Sequence, residues 1–196
     1  MITRFALALS LLIAAPGLAQ PVASPPAEAP KDDLVRVALD TGKGRIVLAL
    51  DRARAPATTA NFLRYVDAKR FDGIGFYRAM AWGGSGLIQA GITSDARLLY
   101  PPVKHEPTNE TGLKHETGAI AMANVGPGTA RSDFFILAGP IPALDKEFAV
   151  FGRVVEGLDV VKAILASPVS ATRGEGSMKG QMLEPAITIR SARRAD

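Results

Sequence analysis

Two histidine–glutamate pairs, His105-Glu106 and His115-Glu116, are the side chains of this sequence that most resemble metal ligands. Zinc sites usually take three or four protein ligands. These are the only two histidines of the chain, and both pairs fall in segments of loop-like composition. We therefore expect no metal site and no cofactor.

One arginine, Arg78, stands in an otherwise apolar, strand-like run beside Phe76 and Tyr77. A guanidinium stays protonated and presents a rigid fork of donors, so it can stabilise a developing charge or lone pair. Other catalytic signatures are absent: there is no Gly-x-Ser-x-Gly, His-Glu-x-x-His or Walker motif. The glycine-rich stretch 83–86 lacks the lysine of a phosphate loop and predicts a turn. From pattern alone, Arg78 is either a catalytic donor or a charge on the barrel surface.

The composition narrows the chemistry further, since 21% of the 196 residues are charged, 47% are hydrophobic and none is cysteine. This balance is too apolar for a disordered chain. Without cysteine there is no thiolate nucleophile, disulfide or iron–sulfur cluster. The net charge of +4 is mild, and the basic residues are scattered along the chain. We therefore expect one folded domain without a nucleic-acid partner.

The N-terminal residues have the pattern of a secretory signal. Arg4 precedes an apolar run from Phe5 to Ala15, and small residues stand before a cleavage position after Ala19. Residues 1–19 are therefore predicted to be a cleaved signal peptide, with an uncleaved N-terminal anchor as the alternative. Residues 20–33 contain four prolines and are predicted to be a tether. We expect a periplasmic or secreted protein that is not inserted in a membrane after cleavage.

The remaining chain, residues 34–192, is predicted to be one domain built mainly of short strands. Apolar and polar residues alternate over residues 34–39 and 46–50, which predicts a hairpin. Helical spacing predicts a helix over Thr58–Ala68, with Pro56 in its first turn, and another over Leu158–Ala166. Further strands are predicted at Gly75–Arg78, Gly86–Ala90, Gly118–Met122, Phe134–Leu137, Ala149–Val155 and Ala186–Ile189. This pattern predicts an antiparallel sheet closed into a barrel, with helices covering its openings.

Several of these segments carry the motifs of a known family in the family's order. Phe71-Asp72-Gly73 precedes Phe76-Tyr77-Arg78, and Ile88-Gln89-Ala90-Gly91 follows. The longest match is the run from Met122 to Ile136, which contains Met-Ala-Asn and Ser-Asp-Phe-Phe-Ile, and the stretch 150–154 comes after it. Over roughly Leu34 to Ala166 the chain resembles the cyclophilin-type peptidyl-prolyl isomerases, in particular their exported bacterial branch.

The resemblance implies a mainly β fold, a closed eight-stranded antiparallel β-barrel capped by two α-helices. It implies an enzyme that isomerises X–Pro bonds in proline-containing segments of exported proteins, without a cofactor, and we expect a monomer. By position in the motifs, Arg78 is similar to the family's catalytic residue. The resemblance makes the other site residues peptide-binding: Leu87, Phe135, Leu144 and Phe148 would wall a proline pocket, while Gln89, Ala123, the backbone of Asn124 and Asp133 would line the rest of the groove.

An arginine suits this reaction because no bond has to be broken. The barrier of roughly 18–20 kcal/mol comes from amide resonance, and twisting the X–Pro bond localises a lone pair on the proline nitrogen. A donor aimed at that nitrogen binds the twisted state better than either planar state, which is differential binding of the transition state. An apolar groove that excludes water strengthens such a donor.

The sequence departs from the family's pattern at five positions: Tyr77 and Phe148 replace histidines, Gly86 replaces a pocket phenylalanine, Asp133 replaces a glutamine, and Ala143 replaces a tryptophan or phenylalanine. At Gly86 we expect a missing ring that loosens the pocket. At Asp133 we expect a carboxylate that pairs with Arg78 and weakens its donation. Phe148 still supplies an apolar wall.

Two other functions stay open, and Gly86, Asp133 and Ala143 are the grounds for the first of them. One is a module that binds proline-containing peptides with weak catalysis, and the other is a structural barrel whose groove contacts one protein partner. Trp82, the only tryptophan, either fills the gap expected at Gly86 or anchors a loop on the barrel. Ala143 predicts weak binding of cyclosporin-type inhibitors, because sensitive members of the family use the aromatic ring at that position.

Overall fold

The structure is a computed structural model that describes residues 33–195. The predicted signal peptide and the tether as far as residue 32 lie outside the described residues, so these two predictions stay predictions. Within this part of the chain, no helix is long and apolar enough to cross a membrane.

Eight antiparallel strands close into a single barrel, as the sequence predicted. The strands are β1 (Leu34–Thr41), β2 (Gly44–Asp51), β3 (Gly75–Trp82), β4 (Ser85–Ala90), β5 (Ala119–Met122), β6 (Phe134–Leu137), β7 (Ala149–Glu156) and β8 (Met182–Ala195). Around the barrel they follow the order β1-β2-β7-β5-β6-β4-β3-β8. The last strand pairs with both the first and the third, and so closes the sheet.

The two predicted helices are present as α1 (Pro56–Asp67) and α3 (Leu158–Leu165), and a third helix, α2 (Thr108–Thr111), lies between them. The prediction of two helices therefore missed α2. Its four residues make a single turn that ends at Gly112 in a left-handed conformation. So short an element has no periodic pattern by which a sequence could reveal it.

The barrel interior is filled by apolar side chains from the strands and from α1. The ring of Phe62 on α1 contacts the rings of Phe71, Phe134 and Phe151 at centroid distances of 5.0, 5.2 and 5.3 Å. On β6 the next residue, Phe135, belongs to a second apolar cluster on the opposite face of the strand. This alternation directs one phenylalanine into the core and its neighbour towards a surface cavity.

The carboxylate of Glu106 caps helix α1. The residue before the helix, Ala55, has no side chain that can cap it. The carboxylate of Glu106 instead accepts hydrogen bonds from the backbone N–H groups of Ala57 and Thr58, at 3.0 and 2.8 Å. A negative charge at this end also complements the helix dipole. Among the described residues no cluster of three or more candidate ligands could hold a metal ion.

Gly157 joins β7 to α3 at a point where the chain passes very close to β2. Its φ angle is +85°, and a Cβ atom there would collide with the carbonyl oxygen of Arg45 and approach the Cα of Ile46 to 3.0 Å. We expect Gly157→Ala to lower the free energy of unfolding by about 2–5 kcal/mol, since the left-handed conformation costs roughly 1–2 kcal/mol and the overlap roughly 1–3 kcal/mol. Urea denaturation measures the change.

Gly73→Ala is the matched control for this substitution. Gly73 has a similar φ of +79°, but nothing lies within 4 Å of a Cβ atom placed there. Only the conformational cost of about 1–2 kcal/mol should then remain. Equal destabilisation by the two substitutions would contradict a steric role for the contact between Gly157 and Arg45.

Candidate functional site

A bulge in β3 brings two adjacent side chains to the same surface of the barrel. Phe76 pairs with Ala90 on β4 and Arg78 pairs with Gln89, so Tyr77 is an extra residue between the two pairs. Phe76 is fully buried in the core. Both Tyr77 and Arg78 then line the surface cavity, which regular alternation along a strand would not allow.

The cavity has a volume of about 500 Å³ and brings together all nine residues singled out from the sequence. They are Arg78, Leu87, Gln89, Ala123, Asn124, Asp133, Phe135, Leu144 and Phe148. Residues that the sequence analysis did not select also line it: Tyr77, Met80, Leu99, Val125, Thr129, Arg131 and Met178, together with Trp82. Its size lies within the range of small-molecule and peptide-segment pockets.

The guanidinium of Arg78 is held by two amide oxygens. Nε donates to Oε1 of Gln181 at 2.8 Å, and Nη1 donates to Oε1 of Gln89 at 2.9 Å. Nη2 faces the sulfur of Met80 at 3.3 Å. Burial lowers the pKa of Arg78, but an arginine remains protonated at any physiological pH. The result is a fixed cation on the side of an apolar cavity.

Gln181 is a functional candidate that the sequence analysis missed. It follows a glycine- and serine-rich loop and lies 103 residues after Arg78. Its side-chain N–H also donates to the carbonyl of Ser177 at 2.7 Å. Nothing in the local sequence distinguishes it from any other polar residue near the start of a strand, so only the closed barrel identifies it.

Asp133 bonds to Tyr77 and not to Arg78, so the expected ion pair is wrong. The hydroxyl of Tyr77 donates to Oδ1 of Asp133 at 2.6 Å and accepts from Nε2 of Gln89, also at 2.6 Å. Ser132 donates to the other carboxylate oxygen at 3.2 Å. Gln89 is thereby fixed between Tyr77 and Arg78 with its carbonyl oxygen towards the guanidinium.

Tyr77 and Asp133 are two of the five departures from the family's pattern, and they complement each other. A Cβ atom at Gly91 would lie 2.6 Å from the carboxylate oxygens of Asp133, so the glycine leaves the space that the carboxyl fills. Burial is the main cause that raises the pKa of Asp133, against the hydrogen bond from Tyr77. Burial and the neighbouring carboxylate likewise raise the pKa of Tyr77, which keeps its hydroxyl protonated.

The four expected wall residues of the proline pocket form an apolar surface beside Arg78. Leu87 and Phe135 are buried, and Leu144 and Phe148 are half-buried against them. The ring of Phe148 meets Phe135 edge-on, with a centroid distance of 5.3 Å. All four side chains line the cavity.

His115 supports this wall from behind. Its ring stacks on Phe135 at a centroid distance of 6.0 Å, and its Nδ1 lies 2.8 Å from a carboxylate oxygen of Asp145. Its backbone carbonyl accepts a hydrogen bond from Ile141 at 2.9 Å, which ties down the loop that carries Leu144. Burial lowers the pKa of His115, although Asp145 opposes that shift.

The gap expected at Gly86 is not in the cavity. A Cβ atom at Gly86 would approach Met80 O to 2.6 Å and a methyl group of Leu165 on α3 to 2.8 Å. The position therefore faces helix α3, and a larger residue would clash there. Its neighbours Leu87 and Gln89 are the β4 residues that face the cavity. Trp82 lines the cavity as well, but it fills no gap left by Gly86.

The loop after β5 forms the opposite border of the cavity. Asn124 uses both groups of its side chain within the protein: its amide donates to the carbonyl of Glu147 at 3.0 Å, and its oxygen accepts from Gly126 at 3.0 Å. Any contact between Asn124 and a peptide is therefore expected from the backbone, as the resemblance implied. Ala123 is held to β6 by its N–H, which donates to Asp133 O at 2.9 Å.

Comparisons with known proteins agree with this architecture. A family model described as "Cyclophilin type peptidyl-prolyl cis-trans isomerase/CLD" matches residues 35–194. Peptidyl-prolyl cis-trans isomerase cyp18 of Streptomyces antibioticus is 37% identical over 150 residues, which are 70% of this chain and 87% of that protein. Peptidyl-prolyl cis-trans isomerase A of Dickeya dadantii is 37% identical over 136 residues, which are 65% of this chain and 70% of that protein.

The fold has solved counterparts. A crystal structure of a Cryptosporidium parvum cyclophilin type peptidyl-prolyl cis-trans isomerase superposes with a TM-score of 0.70 at 20% sequence identity. The match covers 83% of this chain and 98% of that one. Similar proteins with isomerase names also come from fungi, among them ppi1 of Schizosaccharomyces pombe, at 36% identity over 135 residues, 66% of this chain and 84% of that protein.

The raised pKa of Asp133 makes stability depend on pH. Above the ordinary pKa of aspartate the unfolded chain releases this proton while the folded protein still holds it, so the carboxyl lowers the free energy of unfolding as pH rises towards its folded pKa. Asp133→Asn removes the ionisable group and with it the loss of stability at higher pH. The asparagine keeps a side-chain oxygen that can accept a hydrogen bond from the Tyr77 hydroxyl. We expect the difference in the free energy of unfolding, variant minus natural protein, to increase as the pH rises from 4 to 7. Urea denaturation at each pH measures it.

Asp72→Asn is the control and should behave in the opposite way. The hydrogen bond from Arg193 lowers the pKa of Asp72, so its carboxylate stabilises the fold above the unfolded pKa and loses that effect as pH falls. Its removal should cost more at pH 7 than at pH 3, since the stabilising effect is lost at and below the ordinary pKa of aspartate. A stability difference for Asp133→Asn that does not change with pH would refute the raised pKa.

Proposed function

The chain belongs to the family of cyclophilin-type peptidyl-prolyl cis-trans isomerases, and we propose that its cavity isomerises X–Pro bonds through Arg78. The substrate is a polypeptide segment that contains proline. The single observation that carries this mechanism is the position of Arg78, held by Gln181 and Gln89 beside the apolar wall formed around Phe135. A fixed donor next to a pocket for the proline ring is what this reaction needs.

The proline ring enters between Leu87, Phe135, Leu144 and Phe148, and the X–Pro bond then lies beside Arg78. As the bond twists, the nitrogen loses its resonance with the carbonyl and becomes a hydrogen-bond acceptor. Arg78 donates to it, so the twisted state binds more tightly than either planar isomer. No covalent bond forms and no proton has to be transferred.

The surrounding hydrogen bonds give the arginine its direction before the substrate arrives. Such preorganisation matters because a donor that must reorient during the reaction loses much of its advantage. Gln89 and Gln181 are positioning residues in this scheme. The hydroxyl of Tyr77 holds Gln89 in turn, and the bond between Tyr77 and Asp133 keeps the carboxylate from neutralising Arg78.

Two of the three observations that supported a binding module with weak catalysis no longer support it. Gly86 faces helix α3, so it does not open the pocket, and Asp133 bonds to Tyr77. Ala143 remains as the third departure: it is exposed and does not line the cavity. The expected weak binding of cyclosporin-type inhibitors stays a prediction.

The cell compartment in which the protein acts is inferred from its N-terminal sequence. A charged start, the apolar run from Phe5 to Ala15 and the small residues up to Ala19 support a cleaved signal peptide. We propose a monomer that acts on exported polypeptides in the periplasm or outside the cell. The complete lack of cysteine leaves the fold to packing alone, even in an oxidising compartment.

Substitution of Arg78 tests the mechanism. We expect Arg78→Ala to lower kcat/KM for an Ala-Pro peptide by about 10²–10³-fold, the usual effect of removing one preorganised donor. NMR exchange spectroscopy measures the rate. Arg78→Lys should recover little of it, because an ammonium group cannot donate to both glutamines and to the proline nitrogen in one planar fork.

Arg153→Ala is the control, since Arg153 is an exposed arginine on β7 that does not line the cavity. It should keep the rate of the natural protein. Equal rates for the natural protein and Arg78→Ala, both above the uncatalysed rate, would remove Arg78 from the mechanism. Equal rates at the uncatalysed level, with peptide still bound, would favour the binding module.

Export can be tested separately from catalysis. Expressed in a Gram-negative bacterium, the chain should be found in the periplasmic fraction with a mature N-terminus at Gln20, as determined by mass spectrometry. Replacing Leu9 and Leu11 in the apolar run by charged residues should leave the full-length protein in the cytoplasm, because a signal needs that run to enter the export route. An intact N-terminus on the membrane fraction would support the anchor alternative.

A further inference from the structure

Exposed apolar side chains line part of the cavity that contains Arg78. Trp82 is 53% exposed and Met178 is 40% exposed, although both are large apolar residues. Met80, two residues before Trp82 on the same strand, contacts the guanidinium of Arg78 through its sulfur. All three line the cavity that holds the proposed proline pocket. We call these three residues the apolar shelf.

The strand ladder holds Trp82 in place. Arg78, Met80 and Trp82 alternate along β3 and therefore share one face of the strand. Trp82 still pairs with Ser85 across the hairpin, and Gly83 and Gly84, with φ angles of +48° and +83°, make the two-residue turn. Such a turn needs left-handed conformations at both positions. The tryptophan is therefore presented at the end of a regular hairpin.

Met178 reaches the shelf from a different part of the chain, and its position is coupled to Arg78. It ends a single helical turn, Gly176–Met178, just before β8. Gln181 donates to the carbonyl of Ser177 in that turn and accepts from Arg78. The hydrogen bonds that orient the arginine thus also anchor the second side of the shelf.

The strand order places the shelf on one side of the proline pocket. Across the sheet the order is β5-β6-β4-β3-β8. Ala123 and Asn124 follow β5, the pocket residues Phe135 and Leu87 lie on β6 and β4, and the shelf lies on β3 and before β8. A peptide that contacts Ala123 and fills the pocket therefore has the shelf on its other flank.

We propose that the apolar shelf binds a large apolar side chain of the same polypeptide, on the flank of the proline that lies away from Ala123. The inference rests on the proposed function. It adds a substrate class, namely unfolded polypeptide segments in which an aromatic or long aliphatic residue lies near the proline. Methionine adapts to side chains of different shape, and the tryptophan ring offers a large area at small entropic cost. An exposed apolar surface continuous with a binding pocket is the usual mark of such a subsite.

Five peptides of equal length test the proposal, each with one proline and otherwise alanine, serine and lysine. Four of them carry a single phenylalanine, placed two or three positions before or after the proline, and the fifth has alanine instead. We expect phenylalanine on one flank only to raise kcat/KM by about five- to tenfold over the peptide with alanine there, as partial burial of one aromatic side chain allows. Exchange spectroscopy gives the rates.

Trp82 supplies a direct binding signal because it is the only tryptophan of the chain. Binding of the preferred phenylalanine peptide should shift its fluorescence to shorter wavelength, since the ring then leaves water. The alanine peptide should bind more weakly and, at saturation, leave the emission nearly unchanged. An unchanged emission at saturation with the preferred peptide would overturn the proposal.

Two variants separate the shelf from the rest of the groove. Trp82→Ala should reduce the ratio of kcat/KM between the phenylalanine and alanine peptides towards one. Val155→Ala removes an apolar side chain of β7 that is 37% exposed and lies outside the cavity, and it should keep the ratio of the natural protein. A ratio that survives Trp82→Ala would refute the subsite.

The remaining outcomes distinguish the two proposals. If no peptide is accelerated, the proposed function fails and the shelf with it. If all four phenylalanine peptides react at the rate of the alanine peptide, the enzyme stands and the shelf fails. If the emission of Trp82 moves to shorter wavelength with protein concentration and without peptide, a second copy of the chain occupies the shelf and the proposal is wrong.

Discussion

The site depends on the hydrogen bonds that hold the guanidinium of Arg78 in place. A partly buried arginine has five N–H donors to satisfy, and unpaired buried donors cost stability. Here two glutamine side chains accept from it and a methionine sulfur faces it, so no carboxylate is needed to keep it in place. Neutral partners leave the positive charge available to a substrate. A carboxylate in the same position would have stabilised the arginine and weakened it as a donor.

The site also shows how two departures from a family pattern can belong together. From the sequence alone, Asp133 is expected to pair with Arg78, and Tyr77 is only a replacement for a histidine beside it. In the structure, the Tyr77 hydroxyl binds the Asp133 carboxylate at 2.6 Å, and Gly91 leaves room for it. Because Tyr77 sits at a bulge, its side chain reaches the cavity beside Arg78. The pair then supports Gln89 from the side opposite to Arg78.

Local pattern predicted most of the fold, because alternation and helical spacing are properties of neighbouring residues. It found every strand and both longer helices, and it missed α2, which has a single turn. Gln181 could not be found in this way, since it lies 103 positions after Arg78 and contacts it only once the barrel has closed. The error at Gly86 is different: alternation from Leu87 and Gln89, which face the cavity, already places Gly86 on the other face of β4. The pairing of Asp133 with Tyr77 depends on a bulge that no sequence pattern announces.

The pairing of β8 with both β1 and β3 has a consequence for how the protein is made. The first strand of the barrel is a neighbour of the eighth, which occupies the fourteen residues Met182–Ala195. A chain that has emerged from the ribosome only as far as β7 lacks the element that closes its sheet, and it lacks Gln181 as well. The barrel therefore cannot seal until β8 has been made. Until then Arg78 also lacks one of the two amide oxygens that hold its guanidinium.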